Sequence, residues 1–316
     1  MSADAGAILP NRGGLLGGLS DVFWRRPNLL IFLMLTPPLL WLGIVYVGSL
    51  FALLLQSFYA IDEFSGMVDY TQLTLKSYAE LFKPANFDII VRTVAMAAVV
   101  TLASAVIAFP IAYLAARYAR GKWKALFYLA VMLPLWSSYL VKIYAWKLIL
   151  AKEGILTWAF EGVGLGFLID GLLGVPIIGG GSLSTSYVGT FIVFVYVWMP
   201  FMILPTQAAL ERVPVNLTDA SSDLGATPWK TFRHVIFPLA LPGIIAGSIF
   251  TFSLTLGDYI IPSVIGSSRL FIGQAVSAHQ GTAGNIPLAA AFTVVPIVIM
   301  GLYLWMAKRQ GAFDAL

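Results

Sequence analysis

The sequence contains no cysteine, which excludes a disulfide framework, a thiolate metal site and a cysteine nucleophile. Charge is nearly as scarce. Asp, Glu, Lys and Arg make up 11% of the chain, against ~25% in a soluble domain. Only two histidines are present, His234 and His279, and no cluster of His, Asp or Glu accompanies them, so no metal site is expected. A Gly-x-x-x-x-Gly-Lys-Ser/Thr run is missing too: Gly121-Lys122 is followed by Trp123, which leaves the chain without a phosphate-cradling loop. The pI of about 9.2 reflects a net charge of only +4 without a block of like charges. Nucleic-acid binding is therefore not expected.

Apolar residues fill the space left by these absences. They form 59% of the 316 residues, and the mean hydropathy is +0.87. Too little polar surface remains to wet a soluble globule, and a disordered chain is excluded on the same ground. The chain is an integral membrane protein. A spanning helix needs ~20 mostly apolar residues, and six stretches qualify, near 30–55, 89–114, 125–148, 187–210, 241–261 and 288–306. Runs this long do not occur in the alternating strands of a membrane β-barrel. The fold expected is an all-α membrane protein, a six-span helical bundle. The stretch 162–186 is apolar but rich in glycine (Gly179, Gly180, Gly181) and broken by Pro176. It reads as a surface or re-entrant loop, which the membrane tolerates only against protein or water.

Orientation follows from the basic residues. With the N-terminus inside, twelve of the nineteen Lys and Arg fall in cytoplasmic segments, among them Arg25, Arg26, Arg120, Lys122, Lys230, Arg233 and Lys308. Both termini are expected in the cytoplasm, with acidic residues such as Asp62, Glu63 and Asp69 in the first outer loop. Residues 1–28 read as a polar cytoplasmic tail and 29–316 as the transmembrane domain. The first apolar run is too long and too far from the start for a cleaved signal. Prolines recur within the spans (Pro37, Pro38, Pro110, Pro134, Pro200, Pro205, Pro296). They fit a kinked bundle, or a cavity able to change shape. No internal repeat of the kind found in many secondary transporters is evident.

The loop within 211–240 carries the most information. Its core, from Asp219 to Pro238, reads as two short helices joined by a turn. Thr218 or Asp219 is expected to cap the first helix, and Gly225 to end it with positive φ. Thr227 should cap the second with Pro228 at its first position, and Pro238 should precede the next span. Leu217, Ala220 and Leu224 make an apolar stripe at helical spacing. Such an element either rests on lipid headgroups or is a docking knob for a cytoplasmic partner.

Here the chain resembles a known family. Asp219-Ala220-Ser221, three residues, Gly225, nine residues, Val235, one residue, Phe237-Pro238 is similar to the EAA loop of bacterial ABC importer permeases. In that loop the pattern is Glu-Ala-Ala, three residues, Gly, nine residues, Ile, one residue, Leu-Pro. Asp219, Ser221, Val235 and Phe237 depart from it and keep size or charge roughly intact. The likeness extends over most of the chain and is narrower to spermidine/putrescine permease subunits. It covers the first span with Thr36-Pro37-Pro38, the run Met132 to Trp146, and the run Phe252 to Pro262. The resemblance implies a type I importer in the bacterial inner membrane. Its partners would be a second, non-identical permease chain, two copies of an ATPase that hold ATP and magnesium, and an extracytoplasmic solute-binding protein. This chain would carry no cofactor and no catalytic residue. Asp219, Ala220, Gly225 and Pro238 match the motif and would couple it to the ATPase.

Asp258 is the one carboxylate expected well inside a span, where it costs ~2.5–3.5 kcal/mol at the helix centre. It should face a wet cavity or a partner, either as counter-charge to a cationic substrate or in a structural pair. Tyr259 beside it offers a ring face for a cation. Trp136 and Tyr139, three apart, are expected on one face of the third span, lining the passage or belonging to the interfacial belt. Lys142 and Lys147 weigh against a cation unless they snorkel or pair with acids. An ion-gradient-driven secondary transporter remains the alternative, and it leaves Asp219 to Pro238 unexplained.

Overall fold

The computed structural model describes residues 27–62 and 66–309. The tail positions Arg12, Arg25 and Arg26, and Glu63 in the first outer loop, lie outside them. Residues up to Gln56 form one unit and those from Ser57 onward another. The first unit contributes α1 (Asn28–Gln56), apolar along its whole length as a lipid-embedded helix is. Pro37 and Pro38 sit inside it, and a wide π-type stretch, Trp41–Val47, follows them. Proline has no N–H to return to the preceding turn. The hydroxyl of Thr36, just before the two prolines, donates to the Phe32 carbonyl at 2.5 Å.

The second unit begins with a hairpin of β1 (Tyr59–Ile61) and β2 (Val68–Leu73), antiparallel, with Ala60 opposite Asp69. It continues through α2 (Lys76–Leu81) to α3 (Pro84–Arg117), which starts with proline in its first turn. After α4 (Lys122–Trp136) and α5 (Tyr139–Ile149) come two eight-residue helices, α6 (Ile155–Gly162) and α7 (Gly166–Leu173). At ~1.5 Å per residue these are far too short to cross a bilayer, so the stretch 162–186 adds no span. Then follow α8 (Tyr187–Glu211), α9 (Val215–Asp223), α10 (Pro228–Gly257), α11 (Ile260–Val264), α12 (Ile272–Gln280) and α13 (Ile286–Arg309).

Five of these helices are long and apolar enough to span, and the pair α4 and α5 supplies a sixth crossing if it is one broken span. The third span, expected over 125–148 with a kink at Pro134, is instead broken into two helices a few residues further on. The chain bends by 94° between Trp136 and Tyr139, because Ser137 and Ser138 adopt extended backbone (ψ 149° and 131°). Lys142 stabilises the break by donating from Nζ to the Pro134 carbonyl at 2.7 Å, a cation at a helix C-terminus. Among the described residues no acid pairs with it.

The core lies where α3, α8 and α10 pack together, around Ala108, Ala112, Met202, Ile203 and Ala240, all buried. Between α8 and α10 the approach is close. A Cβ at Gly247 would fall 2.9 Å from the Met202 Sδ and 3.0 Å from its Cα. Gly243 and Gly247 stand four apart on that face. Without a hydrophobic force between helices in lipid, small residues at this spacing let the backbones pack directly.

Candidate functional site

Two candidate regions lie at opposite ends of α10. Its 30 residues extend over ~45 Å at 1.5 Å each. At the first end stands α9, which starts after Pro214, whose backbone is extended. Thr218 and Asp219 therefore do not cap it. Thr218 lies in the first turn, its hydroxyl donating to the Val215 carbonyl at 2.6 Å, because a proline just before the helix sets its start earlier. The other end follows the expectation. Gly225 has φ 77°, its N–H donates to the Ser222 carbonyl at 2.9 Å, and the Ala226 N–H reaches back to Ser221 at 3.1 Å. This pair of bonds is the Schellman motif, and it requires the left-handed residue that glycine supplies.

Thr227 then caps the next helix, accepting from the Lys230 N–H at 3.4 Å, with Pro228 at the first position. Ser221, where the chain departs from the EAA pattern, makes a 2.9 Å hydroxyl pair with Thr231 and so ties α9 to the start of α10. Pro238 does not precede the span. It lies within α10, directly after a π-type stretch, Phe232–Ile236. The missing proline N–H falls where the hydrogen-bond register has already widened. The helix that begins at Pro228 thus runs on to Gly257 without a break. Phe109 of α3 braces this stretch, its ring meeting Phe232 edge-on at 5.5 Å. The surface is apolar where it meets solvent: Leu224 is 88% exposed and Trp229 67%, while Asp219 and Ala220 are exposed beside them.

At the far end α10 stops at Gly257, so Asp258 sits just past its C-terminus rather than within a span. Its backbone is extended (φ −75°, ψ 132°). One carboxylate oxygen, Oδ1, accepts from the Ile260 N–H at 2.7 Å and the Ile261 N–H at 3.3 Å, which opens the next helix. The other, Oδ2, accepts the Tyr139 hydroxyl. Gly273 of α12 pins the break: a Cβ there would lie 2.8 Å from the Asp258 carbonyl oxygen. A carboxylate offers about four acceptor positions, and these donors leave capacity for one more.

Tyr139 is half-buried and stacks on Trp198 of α8 at 5.8 Å and 24°. Trp198 in turn meets Phe201 at 5.9 Å, and Phe201 meets Phe250 at 6.4 Å. An aromatic row therefore leads to the carboxylate. Trp136 does not join it. The 94° bend puts Trp136 and Tyr139 on different helices, and Trp136 is 76% exposed. The Tyr259 ring is also exposed. Trp198 escaped the sequence reading because it lies in a run apolar on every side.

A second cluster went unread as well. Lys124 of α4 (3.0 Å), Tyr128 of α4 (3.0 Å) and Gln207 of α8 (3.0 Å) all meet Oε1 of Glu211, joining α4 to α8 just before α9. The spacing of Gln207 and Glu211 on one helix was its only sequence signal. The two histidines lie in separate surroundings. Nδ1 of His234 lies 3.0 Å from the Lys230 carbonyl. The ring of His279 stacks on Phe292 at 5.8 Å, and burial holds its pKa below the usual histidine value.

Comparison with known proteins adds the family. Residues 108–311 match the family described as binding-protein-dependent transport system inner membrane component. The chain is 57% identical over 307 residues to the inner membrane ABC transporter permease protein YdcU of Escherichia coli, covering 97% of each. It is 29% identical over 287 residues to the spermidine/putrescine transport system permease protein PotB of Haemophilus influenzae, covering 89% of this chain and 90% of that one. Its fold is similar to a chain of a bacterial ABC transporter involved in import of the acidic polysaccharide alginate. The TM-score is 0.67 at 15% identity, over 92% of this chain and 98% of the other. The chain belongs to the binding-protein-dependent inner membrane components, the multi-pass permease subunits of type I ABC importers.

Proposed function

We propose that this permease moves a small organic cation of the polyamine class inward, driven by ATP hydrolysed on partner subunits. The observation that carries the cation class is the Asp258 carboxylate. It stands at the end of an aromatic row, hydrogen-bonded by Tyr139 yet with acceptor capacity left. A protonated amine satisfies that charge and lies against ring faces that attract cations. The spermidine/putrescine permeases among the relatives support the same class. Substrate-pathway roles go to Asp258 and Tyr139, with Trp198 added. Trp136 and Tyr259, exposed in the isolated chain, would face the passage shared with the second permease.

The coupling role of Asp219, Ala220, Gly225 and Pro238 is supported by the exposed apolar knob and by its continuity with α10. ATP and magnesium would be held by two copies of an ATPase subunit, and closure of those subunits would press on Leu224 and Trp229. Because α10 is one helix, displacement of its base carries to the Asp258 end. The solute-binding protein would dock on the outer loops, with both termini of this chain in the cytoplasm.

The test is uptake of labelled putrescine and spermidine into proteoliposomes holding this chain, its co-encoded permease and ATPase, and the binding protein. The expected result is ATP-dependent uptake that Asp258→Asn abolishes. Uptake of neither polyamine, with ATPase activity still stimulated by the loaded binding protein, would overturn the substrate class and keep the importer.

A further inference from the structure

Away from α10, a groove of about 430 Å³ opens between the first turns of α3 and α8. Its lining is mainly apolar, with Met96, Val99, Val188 and Phe191 in it, and a few polar side chains join them. Arg92 and Arg269 both line it, opposed by the single carboxylate of Asp88, which pairs with Arg92. The Arg92 guanidinium also donates to the Leu270 carbonyl at 2.8 Å, so its position is fixed. Arg269 is exposed. Tyr187, only 6% exposed, lines the same groove. Its hydroxyl is close enough to Arg92 to interact electrostatically, and it has no hydrogen-bond partner among the described residues.

We propose that this groove is a binding site for an anionic phospholipid. The apolar walls suit an acyl chain, and the excess of two arginines over one carboxylate suits a phosphodiester. Arg92 lies eight residues into α3, about 12 Å from its start at 1.5 Å per residue, a depth that matches the headgroup boundary of a bilayer. Arginine's planar fork recognises phosphate in two-point fashion. A phosphate oxygen drawn in between the guanidiniums, with a small shift of the side chains that cover the Tyr187 hydroxyl, also gives that group the acceptor it lacks, ending the cost of a buried unmet donor. The charge complementarity favours lipid over an apolar protein helix, which would leave Arg269 and the hydroxyl unmatched. This inference is independent of the transported solute and of the direction in which the chain is inserted, since both leaflets contain anionic lipid.

The experiment is native mass spectrometry of the full chain in detergent, titrated with phosphatidylglycerol, with phosphatidylcholine of the same chain length, and with inorganic phosphate. The expected result is one phosphatidylglycerol bound per chain, with affinity about tenfold weaker in Arg269→Gln and in Tyr187→Phe, the worth of one charge-assisted hydrogen bond. Both variants should fold: Arg269 is exposed, and Tyr187→Phe deletes an oxygen that has no partner. In lipid-free detergent Tyr187→Phe should melt no lower than the parent, and only the stabilisation by phosphatidylglycerol should shrink. Equal binding of phosphatidylcholine, or wild-type affinity in both variants, would overturn the site. Binding of phosphate alone with no gain from the acyl chain would overturn the lipid.

Discussion

The two ends of α10 are built by different means. At the Pro228 end the structure is local. A glycine with φ 77°, a capping threonine and a proline at the first helical position lie within four residues and define the knob between them. The Asp258 end is assembled from afar: Tyr139 is 119 residues away, Trp198 comes from α8, and Gly273 of α12 presses on the backbone. A local device survives partial loss of the bundle, whereas a long-range one requires the whole packing. The first end suits a surface that docks and undocks. The second suits a site whose geometry must change with the position of several helices.

Substitutions that separate the ends sharpen this contrast, and the largest effect is expected at Asp258. Asp258→Asn keeps an acceptor for the Ile260 and Ile261 N–H groups and removes the charge. Cation uptake should fall at least ~100-fold, in line with loss of an electrostatic contact in a low-dielectric site, while the melting temperature holds nearly constant. Next comes Gly225→Val. Nothing lies within 4 Å of an added Cβ there, so the penalty is backbone strain alone, about 1–2 kcal/mol. Pull-down of the ATPase should weaken about tenfold. Gly225→Asn, which tolerates the left-handed region, should keep most of the association; equal loss in both would place the effect in docking chemistry rather than conformation.

Smaller changes follow. Tyr139→Phe preserves the stack on Trp198 and deletes one donor to the carboxylate. The KM for uptake should move severalfold, with ATPase turnover unchanged. Thr227→Ala should cost about 0.5 kcal/mol, the low end for an N-cap, because the bond is long at 3.4 Å; thermal melting of the complex reads it. Glu211→Gln removes the partner of Lys124, but the pair is 38% and 27% exposed. Screening limits the loss to less than ~1 kcal/mol, again visible in melting.

Legibility in the sequence follows the same division. The spans were readable because a bilayer sets their length, and the turn at Gly225 because only glycine fits it without strain. The start of α9 was misplaced by taking Thr218 or Asp219 as the cap when Pro214 precedes it. The run of α10 through Pro238 was missed, since proline signals a boundary unless a π-type stretch absorbs its missing hydrogen bond. The 94° break before Tyr139 had a signal in Ser137-Ser138 after Pro134, which a continuous hydropathy window averages away. Trp198 gave none. Its role depends on which face of an all-apolar helix meets Tyr139, and that is decided by packing between segments 59 residues apart.

Under the proposed function one helix connects a docking knob to a cation site, and the two ends fail differently. The decisive measurement is of ATPase stimulation and polyamine uptake in parallel, in proteoliposomes carrying Asp258→Asn or Gly225→Val. Asp258→Asn should retain stimulation by the loaded binding protein and lose uptake; Gly225→Val should lower both together. Normal transport by Gly225→Val, or polyamine transport by Asp258→Asn at the parent rate, would contradict the role proposed for that end of the helix.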